Sequence, residues 1–177
     1  ILMCWQGGME SGNSVAKMLL GEESPSGKLT DTIAYNYEDY PCSENFGYKE
    51  YTNYVEDIYV GYRYFETFAK DKVMYPFGYG LSYTTFNLSN ARCDANTYTS
   101  DGKIQLSIDI ENTGSRDGAE VIQVYVSDVK SSVARPYQEL KAFQKVFLKA
   151  GEKQTVSLTI PVSSFAFWDE TSSSWNT

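Results

Sequence analysis

From residue 84 onward, short runs of alternating apolar and polar residues follow one another, with turn-forming residues between them. The clearest run contains Ile104, Leu106, Ile108 and Ile110, where every second residue is apolar. Alternation with a period of two predicts a strand with one buried face. Several such strands separated by regular turns are typical of a β-sandwich. We therefore predict a mainly β fold whose sandwich occupies residues 84–177.

Three further apolar runs in this part of the chain predict strands, at residues 121–126, 140–148 and 156–160. The aromatic residues that follow, Phe165, Phe167 and Trp168, are predicted to close the core. We expect Trp168→Ala to cost roughly 3 to 5 kcal/mol, the range for removing a large buried aromatic side chain. The alternative is that Trp168 is exposed in this chain and is covered by a partner protein.

The first 33 residues have a different pattern, which is typical of an α/β unit. Apolar residues at helical spacing predict a helix over residues 11–20 that ends at Gly21. Stretches at residues 1–5 and 28–33 are interpreted as strands. A strand–helix–strand unit of this size cannot bury both faces of its sheet. We therefore predict that residues 1–33 are the end of a larger α/β domain.

The segment between these two parts, residues 34–83, shows neither the two-residue period of a strand nor the spacing of apolar residues that is typical of a helix. Residues 34–80 contain eleven tyrosines. We interpret residues 34–83 as an ordered connector, because so many rings would expose much apolar surface unless they packed against a neighbour. The most strand-like part is residues 58–65. An alternative for the rings is a platform on which sugar rings stack.

Charge and composition exclude several classes of function. Fifteen Lys and Arg against 23 Asp and Glu give a net charge of -8, so neither nucleic acid nor an anionic membrane is expected as a partner. No apolar run is long enough to cross a bilayer. The sequence has no histidine, which excludes Cys/His zinc sites and Ser-His or Cys-His nucleophile pairs. No acids have the spacing of a calcium loop, and we predict neither a metal site nor a cofactor.

The three cysteines, Cys4, Cys42 and Cys93, lie far apart and are odd in number. This pattern fits free thiols in a reducing compartment and favours a cytoplasmic over a secreted protein. One disulfide and a secreted location stay open at this point. Because the sequence does not begin with Met, we expect the chain to be a piece of a longer protein.

Three groups of residues follow one another along the chain in a specific order. The first group is WQGGMESGN, LG and PSGKL at 5–13, 20–21 and 25–29, and the second is IYVGYRYF and YPFGYGLSYTTF at 58–65 and 75–86. The third group is the set Asn112-Thr113-Gly114, 118–121, 124–126, Pro136, 139–141, Phe143 and 165–169. In this order they resemble the C-terminal part of glycoside hydrolase family 3, of the β-glucosidase type. The middle group, with its string of aromatic residues and glycines, is the most specific.

The resemblance implies a division into three parts. Residues 1–33 would be the end of the family's α/β sandwich domain, residues 34–83 the connector, and residues 84–177 a fibronectin type III-like domain. The family comprises retaining glycosidases, which use two carboxyl groups about 5 Å apart. The resemblance places the aspartate nucleophile in a barrel domain and, in many members, the acid/base glutamate ahead of the matched segment. We therefore assign no catalytic residue, leave substrate-binding residues unknown, and interpret Glu56 and Asp57 as solvated acids.

The resemblance implies that this chain is a structural piece of a β-glucosidase and is inactive by itself. Its expected partners are the remainder of the hydrolase, the oligosaccharide or glycoside substrate of the whole enzyme, and a second subunit in a homodimer. Xylosidase and N-acetylglucosaminidase specificity stay open. The alternative function is a carbohydrate-binding or adhesive β-sandwich module without hydrolase activity.

Overall fold

A computed structural model describes residues 1–176 and contains two α-helices and nine strands in that range. The helices are α1 (Ser11–Leu20) and α2 (Tyr62–Phe68). The strands are β1 (Ile33–Ala34), β2 (Val73–Tyr75), β3 (Phe86–Cys93), β4 (Lys103–Asn112), β5 (Gly118–Val126), β6 (Glu139–Leu148), β7 (Lys153–Pro161), β8 (Phe167–Asp169) and β9 (Ser174–Asn176). Among these residues, no helix has the length and apolar character that crossing a membrane requires.

The alternating runs of the sequence form two antiparallel sheets. Strands β3, β4 and β7 make one sheet with β4 in the middle, and β5 pairs with β6 in a second. In β7 every second residue is buried, at Val156, Leu158 and Ile160. Ile122 of β5 and Leu148 of β6 are buried as well. The predicted mainly β fold, consistent with a β-sandwich, is therefore confirmed.

The chain divides into two compact units that interleave along the sequence. The first contains Ile1–Ser26, Leu81–Ile122 and the chain from Gln144 onward, and the second contains Gly27–Gly80 and Gln123–Phe143. Strands β5 and β6 therefore contribute residues to both units. The domain boundaries that we placed after residues 33 and 83 stay a prediction.

Asn112, at the end of β4, is the centre of a buried polar network in the first unit. Its side-chain oxygen accepts hydrogen bonds from Thr84 Oγ1 at 2.6 Å and from the Gly114 backbone nitrogen at 3.1 Å. Its side-chain nitrogen donates to the carbonyl oxygens of Arg116 at 2.8 Å and Leu148 at 3.1 Å. An amide has two donor and two acceptor positions, so the fully buried Asn112 leaves none of them unpaired.

Gly114 is required for this network because of the space that Thr84 occupies. A Cβ atom on Gly114 would lie 2.2 Å from Thr84 Oγ1, the hydroxyl that donates to Asn112. Such a contact is too short for non-bonded atoms, so a larger residue would displace the hydroxyl. The turn that the sequence predicts at Asn112-Thr113-Gly114 is thus also a packing constraint.

The second unit has a core of its own around Phe65 of α2, which is fully buried. Ala34 and Ala69 are the other buried members of this cluster. The Tyr40 ring meets the Phe65 ring edge-on with centroids 5.4 Å apart. The Tyr40 hydroxyl donates to the Thr32 carbonyl at 3.0 Å and accepts from the Ala34 backbone nitrogen at 3.1 Å. One side chain therefore joins the core to β1.

The predicted strand at residues 58–65 is wrong, because α2 begins at Tyr62. Gly61, with φ 60°, precedes the helix in a conformation that residues with a Cβ rarely adopt. The helix then places Phe65 in the core. Aromatic residues favour strands mainly through packing, and here the packing around Phe65 favours a helix.

The strands predicted in the first 33 residues are also wrong in extent. Residues 1–5 form no strand in the described structure, and in residues 28–33 only Ile33 belongs to one. That strand, β1, pairs antiparallel with β2. A strand needs a neighbour for its backbone hydrogen bonds. The helix prediction is confirmed at both ends, and Gly21 adopts the left-handed conformation with φ 74°.

Trp168 is not a core residue of this chain, so that prediction is wrong. It lies opposite Trp175 in the hairpin of β8 and β9, and the two rings meet edge-to-face with centroids 5.6 Å apart. Half of Trp168 (50%) is exposed. The alternative, an exposed Trp168 that a partner covers, stays a prediction.

We predict that Asn112→Ala lowers the free energy of unfolding by about 3 kcal/mol or more, because it leaves a buried hydroxyl and two carbonyl groups without partners. Urea denaturation of the wild-type and variant chains measures the change. Asn96→Ala, on the exposed segment between β3 and β4, is the matched control and should stay within about 0.5 kcal/mol. Equal effects of the two changes would contradict the role given to Asn112.

For Trp168→Ala we now expect a loss of about 1 kcal/mol, the range for an aromatic pair on a hairpin. A double-mutant cycle with Trp175→Ala measures the coupling between the two rings. A loss of 3 kcal/mol or more for Trp168→Ala alone would show that the ring is buried in solution.

Candidate functional site

Glu56 and Asp57, which the sequence analysis interprets as solvated acids, have different surroundings in the structure. Glu56 is half-buried and Asp57 is exposed, with a φ of 50°. A hydrogen bond with Glu56, together with burial, raises the pKa of the Cys42 thiol. Glu56 is therefore engaged with a cysteine rather than with a second carboxyl group. The absence of catalytic residues from this chain stays a prediction.

No metal-binding cluster of three or more His, Cys, Asp or Glu residues occurs within residues 1–176. All three cysteines are free thiols, and Cys4 and Cys93 are exposed.

The most unusual feature of the first unit is that α1 has no buried residue. Leu19 and Leu20 are 69% and 74% exposed, whereas Val15 and Met18 are partly buried. Ile1, Trp5 and Met9, just before the helix, are also exposed. Helices in folded proteins are stabilised mainly by packing of one apolar face. The part of the apolar face that Leu19 and Leu20 form therefore lacks a packing partner in the described part of the chain.

The helix is held instead by the polar groups at its C-terminal end. The Tyr83 hydroxyl donates to the Met18 carbonyl at 2.8 Å, and Arg116 Nη1 donates to the Gly21 carbonyl at 2.6 Å. The Ser24 hydroxyl, in the loop that follows, donates to the Asp117 carbonyl at 2.9 Å. The last carbonyl groups of a helix lack partners within the helix. Here the Met18 carbonyl accepts from the Gly21 backbone nitrogen at 3.1 Å as well as from Tyr83, and Arg116 bonds the carbonyl of Gly21, the residue just after the helix.

Sequence reasoning missed these anchoring residues. Tyr83 lies within a motif that the sequence analysis singled out, but nothing in that motif indicates a bond to residue 18. Arg116 lies in the turn after β4, ninety-five positions from Gly21. Contacts over such distances follow from the tertiary fold and have no local signal.

An open cleft of about 780 Å³ lies beside the end of α1. It is lined by Met18, Gly21, Glu22, Glu23, Ser24, Ser26, Arg116, Asp117, Gly118, Ala119, Lys145 and Phe147. The charged residues are two cations and three acids, so the cleft has no strong preference for an ion of either sign. A mixed surface with exposed apolar side chains at its edge suits contact with protein better than with a small charged ligand.

Two family models match the chain, one after the other. Residues 1–83 match the glycosyl hydrolase family 3 C-terminal domain, and residues 120–177 match the fibronectin type III-like domain. The exposed face of α1 thus lies in the segment that matches the glycosyl hydrolase family 3 C-terminal domain.

Individual relatives align over nearly the whole chain. It is 43% identical over 171 residues to a beta-glucosidase of Ruminococcus albus. The alignment covers 96% of this chain and 18% of the relative. It is 42% identical over 180 residues to an exo-alpha-(1->6)-L-arabinopyranosidase of Bifidobacterium longum. That alignment covers 99% of this chain and 23% of the relative. The crystal structure of a beta-glucosidase from Paenibacillus barengoltzii matches with a TM-score of 0.86 and 46% identity, over 94% of this chain and 18% of that one.

The chain therefore spans about a fifth of the length of the curated relatives that it matches. These relatives and the two matched models confirm the resemblance noted in the sequence. The chain belongs to glycosyl hydrolase family 3, of which it carries C-terminal domain sequence followed by the fibronectin type III-like domain.

Proposed function

We propose that the chain is the C-terminal part of a retaining β-glucosidase that hydrolyses terminal β-D-glucosyl residues, and that its own role is structural. The proposal is supported by relatives named beta-glucosidase that align over nearly the whole chain. In it, the catalytic carboxyl groups lie in the remainder of the enzyme. The residues of this chain provide packing surface and position that remainder.

The observation that carries the structural role is the unpartnered apolar face of α1. The polar end of the helix is anchored by Tyr83 and Arg116, whereas Leu19 and Leu20 are exposed. Exposed leucines on a fixed helix are unfavourable in water, since each buried leucine side chain contributes about 2 kcal/mol. We propose that the remainder of the α/β sandwich domain covers these side chains.

Two activities occur among the names of the relatives. Relatives named beta-glucosidase and relatives named exo-alpha-(1->6)-L-arabinopyranosidase have nearly the same identity to this chain. A structural segment does not contact the sugar at the reacting bond, so its sequence does not report specificity. α-L-Arabinopyranosidase activity is therefore a second candidate, beside the β-xylosidase activity that the sequence analysis left open.

Two further expectations belong to the whole enzyme. A homodimer stays a prediction. A cytoplasmic location is supported by the three free cysteines, because exposed thiols persist in a reducing compartment.

We predict that the purified chain does not hydrolyse aryl β-glucosides, because a retaining glycosidase needs two carboxyl groups about 5 Å apart. The enzyme encoded by the complete reading frame should hydrolyse the aryl β-glucoside faster than the aryl β-xyloside or α-L-arabinopyranoside. Proton NMR should show the β-anomer of glucose as the first product. Turnover by the isolated chain that Glu56→Gln abolishes would overturn the proposal.

We predict that Leu20→Ala lowers the free energy of unfolding of the whole enzyme by about 2 to 5 kcal/mol, the range for truncating a buried leucine. In the isolated chain the same change should stay within about 0.5 kcal/mol. Val129→Ala, at an exposed aliphatic residue of the loop after β5, is the control and should have little effect in both. Equal effects of Leu20→Ala in the two proteins would mean that nothing outside the chain covers α1.

A further inference from the structure

The second unit carries a different kind of exposed surface, at residues 43–54, which we call the tyrosine segment. Its central feature is the pair Tyr48 and Tyr51, whose rings are nearly parallel at 7° with centroids 5.7 Å apart. The two residues are 56% and 60% exposed. The offset, parallel arrangement gives the rings a common orientation and leaves much of their surface open to solvent.

The backbone holds the pair within a compact loop. The Asn45 side-chain nitrogen donates to the Asn53 carbonyl at 3.1 Å and so joins the two ends of the segment. Gly47 adopts a φ of 85° in the turn before Tyr48. Residues with a Cβ rarely adopt this conformation, so the glycine allows the chain to turn there. The rings are thus presented by a closed loop.

The composition of the tyrosine segment differs from that of the α1 surface. The sequence SENFGYKEYTNY has no aliphatic side chain, whereas α1 exposes Leu19 and Leu20. Buried cores of protein contacts are rich in apolar side chains. Tyrosine combined with Asn, Ser and Gly is typical of surfaces that bind polar partners, because the rings are rigid and the small polar groups form adaptable hydrogen bonds.

The charged residues in and after the tyrosine segment indicate which ligands it can bind. The segment carries Glu44, Glu50 and Lys49, all exposed, and Glu56 and Asp57 follow it in the sequence. These acidic surroundings repel anionic ligands. Carboxylate oxygens accept hydrogen bonds from hydroxyl groups, and tyrosine rings pack against apolar C–H surface. A neutral ligand with both hydroxyl groups and flat C–H faces fits this set, and pyranose sugars have that chemistry.

We propose that the tyrosine segment binds a β-linked gluco-oligosaccharide, with a pyranose ring on the Tyr48–Tyr51 pair and its hydroxyl groups donating to Glu44 or Glu50. The choice of glucose units rests on the proposed function, but sugar stacking does not.

The test uses cellotetraose as the probe and three variants. Tyr48→Ala with Tyr51→Ala removes both rings, and Tyr48→Phe with Tyr51→Phe keeps the rings but removes the hydroxyls. Tyr137→Ala is the matched control, since Tyr137 is 60% exposed like Tyr51. Saturation-transfer NMR measures binding to the 177-residue chain. In the whole enzyme, KM is measured for cellotetraose and for an aryl β-glucoside, and a pull-down on insoluble cellulose distinguishes polysaccharide from soluble oligosaccharide.

We expect the double alanine variant to bind cellotetraose about tenfold more weakly, which corresponds to the loss of one good aromatic contact. The KM for cellotetraose should rise by a similar factor, with kcat and the KM for the aryl glucoside unchanged. The double phenylalanine variant should stay within about twofold of the wild type, because the rings carry the contact. Tyr137→Ala should behave like the wild type.

Wild-type binding by the double alanine variant overturns the proposal, and so does an equal loss in Tyr137→Ala. If the double alanine variant lowers the Tm of the whole enzyme without changing sugar binding, the segment is instead a contact with the remainder of the protein. A whole enzyme without activity on any glycoside refutes the proposed function, while the NMR measurement still decides the sugar site.

Discussion

The structure of the first unit depends on the side chain of Asn112. Because its four hydrogen-bonding positions are filled by groups from residues 84, 114, 116 and 148, one buried amide fixes where three segments of backbone meet, at residue 84, at the turn 112–116 and at residue 148. The bond to the Arg116 carbonyl also fixes the turn from which the Arg116 side chain reaches the Gly21 carbonyl. The position of α1 is thus coupled to a residue at the end of β4. A change at Asn112 would therefore disturb both the sheet and the way the helix is presented.

This coupling explains how α1 is placed without a core of its own. Packing normally positions an amphipathic helix, but here hydrogen bonds from Tyr83 and Arg116 do so at one end. Directional bonds fix position and contribute only about 1 kcal/mol each to stability. Burial of the apolar face would contribute more to stability than these hydrogen bonds. In our proposal, protein outside this chain buries that face. Position and stability of the helix therefore have separate sources.

The sequence predicted the elements whose signal is local. The helix over residues 11–20, its end at Gly21 and the alternating strands were found, because periodicity and a left-handed glycine act within a few residues. The prediction failed at residues 58–65 and at Trp168, where the outcome depends on distant groups. Phe65 packs with Ala34 and Ala69, and Trp168 pairs with Trp175. For the candidate site, the incomplete α/β pattern predicted that residues 1–33 belong to a larger domain, but it did not predict which side chains of α1 are exposed, and the anchors Tyr83 and Arg116 had no signal in the sequence.

The two exposed surfaces, α1 and the tyrosine segment, differ in how water acts on them. Exposure of a leucine side chain to water is unfavourable over its whole surface, so a fixed helix that exposes leucines favours permanent coverage. The tyrosine hydroxyl forms hydrogen bonds with water, so an exposed tyrosine ring is less unfavourable than an exposed leucine when no ligand is bound. A surface that must be empty part of the time therefore suits Tyr48 and Tyr51 better than Leu19 and Leu20. In our two proposals, the distribution of aliphatic and aromatic side chains along the chain thus separates a surface for permanent assembly from one for reversible binding.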